Sequence, residues 1–252
     1  MGFSKADVAL VTGASTGIGR AAALAFARGG ARVVLADVQG EAGEQAVRQI
    51  RGEGGEARFI RADVAKASEV ARLFGDTLEA YGRLDFAFNN AGIEGELAST
   101  VACTEENWDR TLAVNLKGVW LCMKHELAQM RAQGRGAIVN CASIAGLVGF
   151  RDLPAYVASK HGIVGLTRTA ALEHARDGIR VNAVCPGAIR TAMVDRLIRQ
   201  RPEMESALVA GEPVGRVGTP EEIANVVTWL CSSMASFVTG QAIAVDGGWV
   251  AQ

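Results

Sequence analysis

The sequence predicts an α/β fold, a doubly wound and mostly parallel sheet of about seven strands with helices on both faces. Three observations predict it. Short β-branched runs alternate with helical stretches along the whole chain. The first run leads through a glycine-rich turn, T-G-A-S-T-G-I-G, into an alanine-rich helix. Small and polar turn residues, Asp63-Val64, Asn89-Asn90-Ala91-Gly92 and Pro186-Gly187, close several of the later runs. Those turns fall at the carboxyl ends of strands, where ligands bind in an open parallel sheet.

Taken in order, residues 8–12 form the first strand and 20–28 the first helix, by apolar run and alanine content. Residues 32–36 form the second strand and end in Asp37. Helix at 41–51, strand at 57–61, helix at 68–81 and strand at 84–88 continue the alternation. A long helix is expected over 105–132, with Asn115 in its middle, a residue that competes for backbone hydrogen bonds and sits poorly inside helices. Residues 137–142 read as a strand that runs into Ser143. The helix that follows starts near Pro154, whose missing N–H is no loss in a first turn, and ends at Asp177-Gly178. Residues 179–185 are the next strand. Between 188 and 218 the pattern changes: Met193, Leu197, Ile198, Met204, Leu208 and Val209 alternate with Arg190, Arg196, Arg199 and Arg201, which suits an amphipathic lid. Thr219 caps a further helix with Pro220 at its first position, and 241–245 is the last strand.

The 252 residues are expected to form one domain over 1–252 with a sizeable core. A net charge of −1 with scattered basic residues gives no reason to invoke nucleic acid or an anionic membrane. Cys103, Cys122, Cys141, Cys185 and Cys231 are odd in number and widely spaced, with no metal-ligand pattern, so no metal is expected. The N-terminal residues carry no apolar signal core and no run is long enough to span a bilayer, which points to a cytoplasmic protein.

Candidate chemistry gathers in two places. Gly13, Gly17 and Gly19, with Ser15, Thr16 and Ile18 between them, form a turn at a helix N-terminus that suits a pyrophosphate. Asp37, about 20 residues beyond the glycines, is placed to accept from an adenosine ribose and to repel a 2′-phosphate, which favours NAD over NADP. Asp63 would accept from the adenine amino group, with Val64 against the ring, and Asn90, Ala91 and Gly92 offer backbone and amide groups in a tight bend. The second place is Tyr156 with Lys160. Side chains four apart on a helix share a face, about 5–6 Å apart at Cβ. An ammonium there favours the phenolate and makes a base for an alcohol proton. Ser143 could bring its hydroxyl to the same spot.

Together, T-G-x-x-x-G-x-G at 12–19, N-N-A-G at 89–92, Asn115, Ser143, Y-x-x-x-K at 156–160 and P-G at 186–187 resemble the short-chain dehydrogenase/reductase family, in family order. The resemblance implies a Rossmann-fold NAD(P)-dependent oxidoreductase. Carried over, it makes Tyr156 the general acid/base, Ser143 the partner of the substrate oxygen, and Lys160 the group that lowers the Tyr pKa and binds the nicotinamide ribose. Asn115 would hold a water in a proton relay. The backbone of Ile189, after Pro186-Gly187, would meet the nicotinamide carboxamide, with Thr191 close by. The resemblance also implies a homotetramer.

The substrate expected is a secondary alcohol or ketone, largely apolar because Ile144, Leu147, Val148, Phe150 and Leu153 flank the catalytic residues, and possibly cyclic. Arg151 and Arg190 could instead read a polar tail. A 3-ketoacyl-type reductase, an isomerase that recycles bound NAD, and a dinucleotide-binding scaffold without turnover remain as alternatives.

Overall fold

The computed structural model describes residues 2–200 and 203–252. Seven strands form one sheet in the order β3-β2-β1-β4-β5-β6-β7, every neighbouring pair parallel. They are β1 (Val8–Thr12), β2 (Arg32–Asp37), β3 (Ala57–Arg61), β4 (Phe86–Asn89), β5 (Gly136–Cys141), β6 (Ile179–Pro186) and β7 (Ala242–Val245). The helices are α1 (Gly17–Arg28), α2 (Gly40–Gly52), α3 (Ala67–Tyr81), α4 (Glu105–Leu112), α5 (Gly118–Gln133), α6 (Pro154–His174), α7 (Ala192–Gln200), α8 (Glu203–Gly211) and α9 (Pro220–Cys231).

Strand order reverses between β1 and β4, so the crevice above their carboxyl ends is the topological switch point. The winding on both faces is visible in the two cores. Phe26 of α1, Ile50 of α2 and Ile223 and Leu230 of α9 pack on one side of the sheet. Leu73 of α3, Met130 of α5 and Ile163 of α6 pack on the other. Burial of side chains this size contributes about 1.5–3 kcal/mol each. That is why strand interiors such as 8–11 are uniformly apolar rather than alternating.

Most boundaries shift by one or two residues, and three differences from the sequence expectation have a local reason. First, α1 begins at Gly17, three residues early, because the glycine turn feeds directly into helical geometry after an extended Thr16. Second, β4 begins at Phe86 rather than Leu84. The N–H and carbonyl of Leu84 are both taken by the side-chain amide of Gln133, at 3.0 and 2.7 Å, so Leu84 has no ladder bonds left to make. Third, the long helix expected over 105–132 is interrupted by a π turn, Ala113–Lys117, centred on Asn115. Such bulges widen the helix by one residue and recur at functional sites. The side-chain contacts of Asn115 described below hold this one.

Within 188–218 the structure forms α7 and α8, the latter joined to the body through Gly211 to Gly215. Of the residues expected to line a lid there, Arg201 and the side chains of Met193, Leu197 and Met204 lie outside the described residues. Among the described residues no helix is long and apolar enough to cross a membrane.

Candidate active site

One cavity of about 1170 Å³ runs along the carboxyl edge of the sheet, from Asp37 at the end of β2 to Phe150 and Trp249. Of the residues singled out by sequence, Gly13, Thr16, Gly17, Ile18, Asp37, Asp63, Val64, Asn90, Ala91, Gly92, Ser143, Tyr156, Lys160, Pro186, Gly187, Ile189 and Thr191 all line it. Ser15, Gly19 and Asn115 are not among its walls, and their contacts show what they do instead.

Gly13 adopts a left-handed backbone, φ +62°, and a Cβ there would lie 2.8 Å from Ala91 Cα. Only glycine lets the β1 turn and the Asn-Asn-Ala-Gly turn touch. A Cβ at Gly19 would collide with the Gly13 carbonyl oxygen, so its place is internal packing of the turn. Thr12 ties the two turns together, its hydroxyl accepting from Asn90 N at 3.0 Å and Ala91 N at 3.1 Å. Asn90 answers through Nδ2, donating to the carbonyls of Thr12 and Gly13. Thr16, the N-cap of α1, makes no side-chain capping bond, so the first-turn N–H groups of a 12-residue helix open toward the cavity. Across the gap, a Cβ at Gly17 would come 3.2 Å from Thr191 Cγ2, so a cradle the width of a missing side chain separates the turn from the start of α7.

Asp37 is buried, with Oδ2 accepting from Ser15 N and Oδ1 from Gln39 N, each at 3.0 Å. Its carboxylate therefore sets the shape of the glycine turn and keeps lone pairs for a ligand. Ser15, expected from the sequence at the cofactor, has its N–H taken by Asp37 and its hydroxyl donating to Gln39 O at 3.1 Å, which leaves its oxygen as an acceptor. Asp63 is likewise engaged, accepting from Ala65 N at 3.0 Å through Oδ1.

At the other end, Ser143 leaves β5 as the cap of a short 3₁₀ turn, its Oγ accepting from Ala145 N at 3.1 Å. The Ser143 proton is left to be donated. A Cβ on Gly146 would come 2.7 Å from Lys160 O, so this turn packs directly on α6 beside Lys160. Lys160 is 4% exposed, donates from Nζ to Cys141 O at 2.8 Å, and lies 5.4 Å from the Tyr156 ring centroid. Among the described residues the Tyr156 hydroxyl has no hydrogen-bond partner, although it faces the cavity.

Asn115 is 0% exposed and its side chain is fully engaged. It accepts from Ile93 N at 2.8 Å and donates to Ile93 O at 2.8 Å and Ser159 Oγ at 3.2 Å. Both amide protons are committed, so a water held by Asn115 would have to use its main chain. The Arg190 guanidinium binds Glu205 at 2.7 Å and Asp195 at 3.5 Å within 188–218 and is not among the cavity walls. Leu147 and Val148 also fall outside the walls, whereas Ile144, Phe150, Arg151 and Leu153 are part of them.

Sequence reasoning missed Leu97, Glu212 and Trp249, and had Glu94 only as part of the N-N-A-G-I-E-G run at 89–95 that points to a cyclic substrate and Arg196 only as a lid residue; all five are in the walls. Trp249 stacks on Phe150 with centroids 5.0 Å apart. Glu212, 3% exposed, accepts from Ala188 N at 2.6 Å and so ties the end of α8 to the segment after Pro186-Gly187. Burial raises its carboxyl above the usual range, the Ala188 N–H opposes this, and nearby Asp246 adds to the rise. The D-G-G turn before Trp249 was the only available signal.

Comparison with known proteins matches these features. A family model described as enoyl-(acyl carrier protein) reductase covers residues 13–250. Cyclohexanol dehydrogenase of Acinetobacter sp. (strain SE19) is 44% identical over 245 residues, 97% of this chain and 95% of that protein. Among solved structures, levodione reductase superposes with a TM-score of 0.94 at 39% identity, covering 98% of both chains. A variant of actinorhodin polyketide ketoreductase with NADPH superposes with a TM-score of 0.94 at 37% identity over 99% of both. With the seven-stranded parallel sheet, the glycine turn and the Ser-Tyr-Lys cluster in one cleft, the chain belongs to the short-chain dehydrogenase/reductase family.

Proposed function

We propose that the protein is an oxidoreductase that moves a hydride between NAD(H) and a secondary alcohol or ketone, largely apolar and cyclic. The observation that carries the reading is the Tyr156 hydroxyl. It has no hydrogen-bond partner among the described residues, lies beside buried Lys160, and shares one cavity with the open N-terminus of α1 and with Asp37. A dinucleotide fits the residues present. The cradle at Gly17 and the uncapped first turn of α1 suit a pyrophosphate, and the Asp37 carboxylate suits a ribose diol. When bound, the nicotinamide accepts or returns the hydride.

The chain's own groups do the rest. Ser143 Oγ donates to the substrate oxygen and holds it against Tyr156. Tyr156 takes the hydroxyl proton during oxidation and returns it during reduction, general acid/base work of the kind that contributes about 10²–10⁴-fold. Lys160, buried beside the phenol ring, would hold the nicotinamide ribose. Asn115 positions Ile93 and Ser159, and its main chain holds the relay water. Ile189, with Thr191, meets the carboxamide.

NAD is favoured because Asp37 would repel a 2′-phosphate and no arginine or lysine stands at Val38, Gln39 or Gly40. The cyclic, uncharged substrate is favoured by apolar walls, Leu97, Ile144, Phe150, Leu153, Leu208 and Trp249, and by 44% identity to a cyclohexanol dehydrogenase. The same reading includes a single domain whose 188–218 segment closes over the substrate, a homotetramer, and a cytoplasmic location. A second reading, a 3-ketoacyl-type reductase, draws on the family model's description and the polyketide ketoreductase likeness.

The test is a panel of cyclic and open-chain secondary alcohols, the matching ketones and a 3-ketoacyl thioester, followed by nicotinamide absorbance with both cofactors. Cyclic alcohols oxidised with NAD⁺ are expected. Turnover confined to the thioester and NADPH would replace this reading with the second, and no turnover anywhere would favour a scaffold.

A further inference from the structure

The segment between β4 and α4 is long, lacks regular structure, and is nevertheless tied down at three points. Asn115 holds Ile93 by both its N–H and its carbonyl, each at 2.8 Å. Two turns earlier on the same helical rod, Asn107 holds Glu96 in the same manner, accepting from its N–H at 2.8 Å and donating to its carbonyl at 3.0 Å. Further on, Ala98 N donates to Asp152 O at 2.9 Å, which joins this segment to the loop carrying Phe150 and Leu153. Between the two asparagine clamps stand only Glu94 and Gly95. Gly95 takes a left-handed backbone, φ +78°, and a Cβ on it would lie 2.7 Å from Thr111 Oγ1.

These clamps present Glu94 to the cavity that holds Ser143 and Tyr156. The carboxylate has no hydrogen bond and no ion pair among the described residues. Leu97, Phe150 and Leu153 line the same cavity, and Arg196 on α7 is the charge that Glu94 feels. Loss of solvent raises its carboxyl above the usual range, and Arg196 only partly offsets this. A carboxylate is an acceptor with up to four lone-pair sites. Leaving it partly desolvated and unpartnered is unfavourable unless a ligand supplies the donor.

We propose that Glu94 is the specificity-determining residue of the substrate site and accepts a hydrogen bond from a second hydroxyl, carried on the ring of a cyclic alcohol away from the reacting carbinol. The inference rests on the alcohol dehydrogenase reading above and narrows it from cyclic alcohols to cyclic diols and hydroxyketones. A site built to bond a hydroxyl discriminates against analogues that lack it, because the partly desolvated acceptor is then left unpaired.

The experiment compares kcat/KM for cyclohexane-1,4-diol and cyclohexanol in the unmodified enzyme, Glu94→Gln, Glu94→Leu and Arg196→Ala, with thermal melting as the check on folding. The expected result is a diol to mono-ol ratio above one in the unmodified enzyme. A hydrogen bond to a charged group is worth about 10- to 100-fold in affinity, so the ratio should fall by about that factor in Glu94→Leu and by less in Glu94→Gln. Arg196→Ala should leave the preference for the diol in place. An active enzyme whose ratio is the same in all four proteins, or whose ratio collapses in Arg196→Ala but not in Glu94→Leu, overturns the role of Glu94 and leaves the dehydrogenase reading standing. An enzyme inert with every alcohol refutes the underlying reading and takes this assignment with it.

Discussion

At the β1 end of the cleft, Gly13, Gly17 and the first turn of α1 offer main-chain groups, whereas at the β5 end Ser143, Tyr156 and Lys160 offer side chains. The two ends consequently fail in opposite ways. The first is damaged by adding atoms, since its function is close approach of backbone. The second is damaged by removing atoms, since its hydroxyls and ammonium are the reagents. Both are shaped in the same way: buried side chains behind the walls, Thr12 and Asp37 at one end and Asn115 at the other, bond the main chain that forms them.

The largest effect expected is at the reacting end. Tyr156→Phe removes one oxygen and should lower kcat by about 10²–10⁴-fold. Cofactor affinity, measured by quenching of protein fluorescence, should change far less. If turnover survives, the side-chain half of the comparison is wrong. At the main-chain end the matching change is an addition. Gly19→Ala places a methyl against the Gly13 carbonyl. Overpacking of this sort costs about 1–3 kcal/mol. A weakening of NADH binding by about tenfold or more is therefore expected, together with a lower Tm; unchanged binding would mean that the turn does not hold the cofactor.

Asp37→Ala sharpens the contrast, because this residue serves both the turn and the ribose. The ratio of kcat/KM for NAD⁺ over NADP⁺ should drop by about tenfold, the size of one charged hydrogen bond. Equal use of both cofactors by the unmodified enzyme would contradict the assignment.

An effect of another kind, on stability against pH, lies under the β4 turn. Glu126 is completely buried, accepts from Asn89 Nδ2 at 3.0 Å, and has an Oε1 without a partner among the described residues. Burial raises its carboxyl from the ordinary value to about 8, with the Asn89 amide opposing the shift. A group raised in the folded state gives stability that is full below its unfolded pKa, about 4.3, and is lost as pH rises through the folded value. Stability of the unmodified protein should therefore fall between about pH 4.5 and pH 8 relative to Glu126→Gln. The Tm gap between the two should widen by roughly 2–4 °C for each kcal/mol over that interval. A gap that stays constant with pH would show that Glu126 does not titrate there.

Much of this was legible in the sequence, and the remainder was not for a common reason. Alternation of runs, the Gly13-Gly17-Gly19 spacing and the Tyr156-Lys160 interval are local patterns, and the seven parallel strands follow from them. What Glu94 faces is not legible locally, because Asn107 and Asn115 clamp the chain on either side of it from another element. Leu84 was assigned to a strand because nothing local shows that Gln133 will take both its backbone groups. The π turn at 113–117 has the same origin, a buried amide whose partners are distant in sequence. Trp249 reaches the cavity only because the C-terminal turn folds back toward Phe150. Amide clamps join residues without leaving a periodic trace, so they appear only in three dimensions.

The central claim, direct hydride transfer from a secondary carbinol to the cofactor held at the main-chain end, is tested most directly by following a label. Cyclohexanol deuterated at the carbinol carbon is incubated with the enzyme and NAD⁺, and the reduced cofactor is examined by NMR. The account predicts deuterium at the reactive carbon of the nicotinamide ring, on one face only, with loss of the signal in Tyr156→Phe. Reduced cofactor without deuterium, or ketone formed without reduced cofactor, would contradict it.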